Sequence, residues 1–396
     1  MLAGDHPERP DATAAARATP ATAETRATTA ATWTTGTTKA VDPADATPPS
    51  RRTSKRPRLW ARSRKYRVIV RGLLIFALIP VVLTTVGLAW LGDQGSASPP
   101  ATIPATGGDG LWLGHAWVAG TQTSADLSDL VARVRQDGIK DLFVHDGPLS
   151  ANGSLDPALS PHARTFVATL HKLLPGVRVQ AWLGDLVGPG NLDLDSPATR
   201  SRILGSVDQA LADGFDGIHF DMEPVASGDQ GYLDLLAATH QLTRERHKVL
   251  SISAELIEPL SGLHIPASII AGQSHYWSAG YLSAIARNVD EVALMAYNTI
   301  MPFGTDYSGF VRLETGIALR AMPPGVHLLV GLPAYPTALP AHTGAETVAN
   351  GIRGVRLALG TSSQPRDIGV ALYADFTATQ ADWAAYRSGW SAVRRS

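Results

Sequence analysis

The sequence predicts an α/β protein whose main domain is a (β/α)8 TIM barrel, preceded by a disordered N-terminal arm and one transmembrane helix. From residue 111 onward, short apolar runs alternate with amphipathic stretches, and eight such strand–helix units fill about 285 residues. Strands separated by crossover helices run parallel, and eight units of this total length suit a closed barrel. An open, doubly wound sheet is the rival fold, but no Gly-x-Gly-x-x-Gly turn follows the first strand.

The predicted strands are eight short apolar runs: Leu111–Val118, Asp141–His145, Val177–Leu183, Gly217–Glu223, Val249–Leu256, Glu291–Tyr297, His327–Leu332 and Ile368–Tyr373. The predicted helices follow them in turn: Ser124–Asp137, Pro161–Leu174, Pro197–Asp213, Asp229–His247, Tyr281–Asn288, Gly309–Ala321, Gly344–Leu359 and Thr379–Trp390. In such barrels the chemistry lies at the carboxyl ends of the strands, so residues at those ends are the candidates for a site.

The N-terminal part of the chain has a different organisation. Residues 1–66, rich in Ala, Thr and Pro and basic at their end, predict a disordered cytoplasmic arm. Gly72 to Gly92 contains no charge over 21 residues, long enough as a helix to span about 30 Å of hydrocarbon. With the basic run before it, this segment predicts a signal-anchor helix over 67–92 and an extracellular remainder; a cleaved signal peptide is the alternative. A Pro/Ser/Gly-rich tether, 93–108, then leads to the barrel, 109–396.

Composition and charge exclude several classes of protein. Residues 72–396 hold 20 Lys and Arg against 29 Asp and Glu, so this part lacks the basic balance of a nucleic-acid-binding domain. The absence of cysteine excludes disulfides, thiolate zinc sites and iron–sulfur clusters. The histidines near the strand ends lie on different strands, which does not favour a metal site. We therefore expect no cofactor and no metal, while the oligomeric state stays open.

The fourth predicted strand is the most informative segment, with the sequence DGFDGIHFDME from Asp213 to Glu223. Side chains alternate along a strand, so His219, Asp221 and Glu223 share one face, which we expect to point into the barrel. Ionisable groups there are costly unless they are paired, hydrogen-bonded or hydrated. One explanation is a structural polar network. The other is coupled titration, in which Asp221 raises the pKa of Glu223 and makes it a general acid near neutral pH.

Other predicted strand ends bring aromatic, amide and carboxylate side chains to the same rim: Asp146, Trp182, Glu255, Tyr297, Asn298, Tyr335, Tyr373 and Asp375. Aromatic faces stack on sugar rings and carboxylates transfer protons, so this set is typical of a carbohydrate site. Glu223 is followed by Pro224, as in barrel glycosidases that use a second protein carboxylate as nucleophile. Glu255 could serve as that nucleophile, although the sequence does not reveal its distance from Glu223.

The fourth strand resembles the signature of the family 18 glycoside hydrolases, Asp-Gly-x-Asp-x-Asp-x-Glu. The matching residues are Asp216, Gly217, Asp221 and Glu223, and His219 stands where the family usually has Asp. The segment LMAYN, residues 294–298, resembles the family's Met-x-Tyr-Asp/Asn motif, and GLPAY, residues 331–335, resembles its Gly-Leu-Pro-x-Tyr motif. Tyr373 takes the place of the Trp that commonly ends the eighth strand.

The resemblance implies a substrate-assisted, retaining hydrolysis without a protein nucleophile. Glu223 would protonate the glycosidic oxygen, Asp221 would orient the 2-acetamido group of the sugar, and Tyr297 would hydrogen-bond the acetamido carbonyl. The residues predicted to bind substrate, most of them from their positions at the strand ends, are His219, Asn298, Trp182, Tyr335, Tyr373, Asp146, Glu255 and Asp375. The predicted function is therefore a membrane-anchored extracellular glycosidase acting on a polysaccharide that contains N-acetylhexosamine, such as peptidoglycan or a chitin-like chain. The alternative is a carbohydrate-binding protein on the same barrel, with catalysis weakened because His219 replaces Asp.

Overall fold

The computed structural model describes residues 59–259, 276–335, 344–361 and 364–394, without the side chains of 59–68, 70–77 and 80. The strands are β1 (Gly110–Leu113), β2 (Asp141–Pro148), β3 (Arg178–Leu186), β4 (Gly217–Glu223), β5 (Val249–Ala254), β6 (Leu256–Ile257), β7 (Tyr276–Trp277), β8 (Glu291–Leu294), β9 (His327–Pro333) and β10 (Ile368–Tyr373). The helices are α1 (Leu59–Ser96), α2 (Ala116–Ala119), α3 (Ser124–Asp137), α4 (Ala163–Leu173), α5 (Pro197–Ala212), α6 (Gln230–Glu245), α7 (Ala279–Ala286), α8 (Gly304–Ala321), α9 (Val348–Leu359), α10 (Gln380–Tyr386) and α11 (Ala392–Arg394), with a π-helical turn at Arg387–Ser391.

Eight of these strands close into one barrel in the order β1-β10-β9-β8-β5-β4-β3-β2, and every neighbouring pair is parallel. The predicted TIM barrel is confirmed. The two short strands β6 and β7 form a separate parallel pair between β5 and α7. Parallel order brings the carboxyl ends of all eight barrel strands to one face, where the candidate residues were expected.

Helix starts follow the capping residues in the sequence. Thr123 caps α3 and Thr379 caps α10, and each exchanges hydrogen bonds with an Asp three residues later in a capping box. Ser196 caps α5, whose first residue is Pro197. These polar caps satisfy backbone N–H groups that have no partner within the helix.

The core has two parts. The larger part fills the layer between the strands and the helices, and it includes the outward-facing residues of β4, Ile218, Phe220 and Met222. The smaller part lies inside the barrel around Trp112 and Phe143, with Trp182 and Tyr373 packed against it. The alternation predicted for β4 is therefore present, with its apolar side chains under the helices.

The first strand is shorter than the sequence predicts. β1 ends at Leu113 and the chain turns into α2, whereas the apolar run predicted a strand as far as Val118. The physical reason is Asp375, whose carboxylate accepts hydrogen bonds from the Gly114 N–H (2.9 Å) and the Trp117 indole (2.7 Å). These bonds draw the chain out of the sheet.

The helix α1 covers the predicted span 67–92, and the predicted arm 1–66 lies almost wholly outside the described residues. Where the structure describes the chain, it contains no helix of the length and apolar character needed to cross a membrane. Several side chains of the predicted span, 70–77 and 80, fall outside that description.

The end of α1 and the segment after it are hydrogen-bonded to the barrel domain. The guanidinium of Arg353, on α9, donates to the carbonyls of Gly95 (2.7 Å), Ser96 (2.8 Å) and Ala97 (2.7 Å). Near β1, the backbone N–H of Arg366 donates to the Pro104 carbonyl (2.8 Å). The predicted tether thus contacts the domain at both of its ends.

Candidate active site

The inward-facing side chains of β4 form a column inside the barrel, with His219 deepest, then Asp221, then Glu223 at the carboxyl end of the strand. His219 is fully buried, whereas Asp221 and Glu223 keep partial contact with solvent at the mouth. The adjoining strand β3 permits this arrangement through Gly184, since a Cβ there would lie 1.8 Å from the Asp221 carbonyl oxygen. The sequence therefore places two acids at the barrel mouth above one histidine.

His219 is held as a neutral imidazole. The indole N–H of Trp112 donates to its Nε2 (3.1 Å), so Nε2 is the acceptor nitrogen and the proton lies on Nδ1. Nδ1 then donates to the hydroxyl of Ser251 (2.7 Å), which donates to Oε1 of Gln180 (2.8 Å). Burial lowers the pKa of His219 to about 3, because the charged imidazolium would lose its hydration. His219 therefore contributes hydrogen bonds and no charge.

The carboxyl group of Asp221 is only partly hydrogen-bonded within the described chain. Its carboxyl group accepts hydrogen bonds from the side chains of Ser253 and Trp182. Its Oδ1, however, is buried without a hydrogen-bond partner among the described residues. Burial raises the pKa of Asp221 to about 6. The two hydrogen bonds act in the opposite direction and lower this pKa, whereas the charge of Glu255 raises it. An N–H donor of a ligand could satisfy this oxygen.

Glu223 is the group best suited to donate a proton. Burial raises its pKa well above the usual value, and the charges of Asp221 and Glu255 raise it further. Glu255 follows β5 directly and is 5% exposed. A carboxyl group that keeps its proton near neutral pH can act as a general acid.

Aromatic side chains surround the two acids. Tyr297 and Tyr373 stack with ring centres 5.4 Å apart, and Trp182 lies 6.1 Å from Tyr373. Burial is the main cause that raises the pKa values of Tyr297 and Tyr373, and the charges of Asp221 and Glu223 raise them further. Because these charges act on both tyrosines, the two rings lie near the acids. The protonated tyrosine hydroxyls are therefore hydrogen-bond donors at the mouth.

Solved structures share this architecture. A chitinase from Chromobacterium violaceum ATCC 12472 superposes with a TM-score of 0.51 at 17% identity, over 72% of this chain and 99% of that one. The spore cortex-lytic enzyme SleL of Bacillus cereus superposes with a TM-score of 0.50 at 13% identity, over 72% of this chain and 75% of the other. The domain has the fold of a chitinase-like barrel. No protein-family model and no curated protein sequence matches the chain.

The chitinase-like barrel positions its rim with residues that sequence reasoning missed. Glu346 accepts hydrogen bonds from the backbone N–H groups of Asn298 (2.8 Å) and Thr299 (2.6 Å), and so fixes the turn after Tyr297. Asn298 has a positive φ of 60°, and its side-chain oxygen accepts a hydrogen bond from the Tyr335 hydroxyl (3.2 Å). Neither Glu346 nor Trp112 gave a sequence signal, because each acts on residues far away in the chain.

Two predicted substrate-binding residues of the chitinase-like barrel have other surroundings. Both oxygens of Asp375 accept hydrogen bonds from the segment after β1, so Asp375 braces that turn. Asp146 is buried at a bulge in β2, where burial raises its pKa to about 6, and both of its carboxyl oxygens are buried without a hydrogen-bond partner in the described chain. Within the described ranges, no group of three or more His, Asp or Glu side chains could hold a metal ion.

Proposed function

We propose that the protein is a glycoside hydrolase that cleaves a polysaccharide containing N-acetylhexosamine, with Glu223 as the general acid. The observation that carries the proposal is the pairing of Glu223, an acid at the barrel mouth with a raised pKa, with Asp221, whose Oδ1 lacks a partner within the described chain. The similar structures are named as chitinases and a cortex-lytic enzyme, which supports a chitin-like chain or peptidoglycan as substrate.

The proposed reaction is substrate-assisted. Glu223 donates its proton to the glycosidic oxygen as the C1–O bond breaks, and the carbonyl oxygen of the sugar's own acetamido group bonds to C1. Asp221 accepts the acetamido N–H on Oδ1 and balances the positive charge of the resulting oxazolinium, while the Tyr297 hydroxyl donates to the acetamido oxygen. Water then attacks C1, the bond between C1 and the acetamido oxygen breaks to restore the acetamido group, and Glu223 recovers a proton from the water. Two inversions at C1 retain the anomeric configuration.

Hydrolysis of N-acetylglucosamine oligomers and of peptidoglycan by the full chain tests this function. We expect new reducing ends whose first-formed anomer, observed by NMR, has the configuration of the substrate. Matched oligomers that carry free amines in place of the acetamido groups should not be cleaved, because they lack the internal nucleophile. Binding without release of reducing ends would support the alternative of a carbohydrate-binding protein, in which His219 has removed a catalytic carboxylate.

We also propose that α1 anchors the barrel outside a cell membrane. The proposal rests on the uncharged segment 72–92 and on the ten Lys and Arg residues between Arg51 and Arg71, a stretch without acids. In cells that express the full chain, we expect the protein in the membrane fraction after alkaline extraction. Protease added to intact cells should remove the barrel. Recovery of the whole chain in the soluble fraction would contradict the anchor.

A further inference from the structure

The last turn of α1 is bound to the barrel domain by side chains of α8 and α9. An α-helix leaves its last four carbonyls without partners inside the helix, and in α1 these belong to residues 93–96. The first accepts the Ser96 hydroxyl (2.9 Å), and the Gln94 carbonyl accepts the guanidinium of Arg312 on α8 (2.9 Å). Arg353 on α9 donates to the other two (2.7 and 2.8 Å). The barrel domain therefore provides most of the C-terminal cap of α1.

The same part of α1 packs against α8 with almost no space between the two backbones. A Cβ on Gly95 would lie 1.9 Å from the Thr305 carbonyl oxygen, and a Cβ on Gly309 would lie 1.9 Å from the Leu91 carbonyl oxygen. Residue 95 of α1 thus meets the first turn of α8, whereas residue 91 meets the next turn. The two helices therefore run in opposite directions at this contact.

This direction determines the side of the barrel from which α1 emerges. α8 follows β8, so it begins at the mouth, and it ends before β9 at the amino ends of the strands, here named the floor. Because α1 is antiparallel to α8, its earlier residues lie toward the floor. Trp90 agrees with this direction, since it lines a groove together with Gly316 and Arg320 near the floor end of α8.

Before this contact α1 stands away from the barrel. Every side chain that the structure describes between residues 78 and 87 is exposed, and none of them is charged. The large apolar ones are Leu78, Ile79, Val81, Val82, Leu83 and Val86, each 48–66% exposed. Apolar side chains exposed on several sides of a helix need an apolar environment. The barrel does not cover them, and the acyl chains of a bilayer fit this requirement.

We propose that the junction of α1 with α8 and α9 holds the barrel in one orientation, with its floor toward the membrane and its mouth away from it. This inference rests on the proposed anchor and extends the proposed function. In this orientation the site reaches polysaccharide on the far side of the domain, and it does not reach a saccharide linked to a membrane lipid. A free tether would let the mouth face either way.

Energy transfer from single labels tests the orientation, because the chain contains no cysteine. Lys140 is exposed at the floor, where its carbonyl accepts the backbone N–H of Arg178 (2.8 Å), the first residue of β3. Leu186 is exposed at the other end of β3, eight residues or roughly 25 Å along the strand. In vesicles that carry the full chain and a headgroup-linked acceptor, a donor on Lys140→Cys should transfer energy several-fold more efficiently than one on Leu186→Cys.

Two variants test the junction itself. Gly309→Ala places a Cβ against the backbone of α1, so the two efficiencies should converge. Gly316→Ala is the matched control on the same helix, because its Cβ would meet only the end of the Arg320 side chain, at 3.5 Å. Arg353→Leu removes the hydrogen bonds to α1 without adding bulk, and it should also reduce the difference. Equal efficiencies in the wild-type chain, or a higher one at Leu186, would overturn the proposal.

Failure of the anchor has a different signature. If the full chain does not float with the vesicles, the anchor is wrong, and pairs of labels within the chain in solution replace the headgroup acceptor. A label on Val82→Cys should then transfer more energy to Lys140→Cys than to Leu186→Cys. That order would support a fixed junction without a membrane, whereas equal or reversed efficiencies would overturn the junction as well.

Discussion

Glu223→Gln should lower kcat by roughly 10²- to 10⁴-fold, the usual contribution of a positioned general acid. The amide has nearly the same shape as the protonated carboxyl group, but it cannot give a proton to the leaving oxygen. Binding should change little, since the aromatic rings and the Asp221 Oδ1 stay in place. Initial rates and oligomer binding by calorimetry, measured on the full chain, separate the two effects.

The leaving group provides a sharper version of this experiment. An aryl glycoside with an acidic phenol as leaving group needs little protonation, so Glu223→Gln should lose far less activity on it than on an oligosaccharide. Glu314→Gln serves as the control, because it removes another buried carboxyl group, one that accepts a hydrogen bond from the backbone N–H of Ile257 (2.7 Å). Equal losses on the two substrates, or turnover that survives Glu223→Gln, would remove Glu223 from the acid role.

The fold was predictable because the barrel depends on local patterns. β4 and β10 have the predicted bounds, since β4 is a run of alternating apolar and ionisable residues and β10 is an apolar run. The alternation of ionisable and apolar residues from Ile218 to Glu223 gave the inward face correctly. The end of β1 was not predictable, because it depends on Asp375, which lies 261 residues away from Gly114.

The candidate site was predictable only in part. Strand ends and alternation identified Asp221, Glu223 and Tyr297, but they give no information about hydrogen-bond partners on other strands. The neutral state of His219 requires Trp112, a partner 107 residues away that has the appearance of an ordinary core aromatic in the sequence. The hydrogen bonds of His219 with Trp112 and Ser251 favour its neutral form, and neither partner can be inferred from the sequence around His219.

The column of polar groups continues to the opposite end of the barrel, where Arg178 should have a large effect on stability. Its guanidinium donates to both oxygens of Asp141 (2.6 and 2.7 Å) and to Glu291 (2.9 Å), two carboxyl groups with at most 1% exposure. The side-chain amide of Gln180 donates hydrogen bonds to the same two acids, and its oxygen accepts one from the Ser251 hydroxyl. Ser251 is also hydrogen-bonded to His219, so this network extends to His219. The network therefore reaches β4, the strand that carries Asp221 and Glu223.

Arg178→Leu should lower the free energy of unfolding by about 3 kcal/mol, because removal of one partner leaves buried carboxylates without a cation. The control is Arg164→Leu, whose partner is Asp213 and whose side chain is 70% exposed, with an expected loss below about 1 kcal/mol. Urea unfolding of the full chain in mild detergent, followed by tryptophan fluorescence, measures both.

The pH dependence identifies the cause of that loss. Burial raises the pKa of Glu291 to about 8 even with Arg178 present, and loss of the guanidinium raises it further. A carboxyl group with a raised pKa in the folded state favours folding at low pH and loses that contribution as pH rises through the folded-state value. The deficit of Arg178→Leu relative to wild type should therefore stay level below about pH 8, where Glu291 is protonated in both folded proteins, and grow from about pH 8 to about pH 10, where wild-type Glu291 ionises beside Arg178. A deficit that is constant over this range would mean that lost packing, rather than unpaired charge, destabilises the variant.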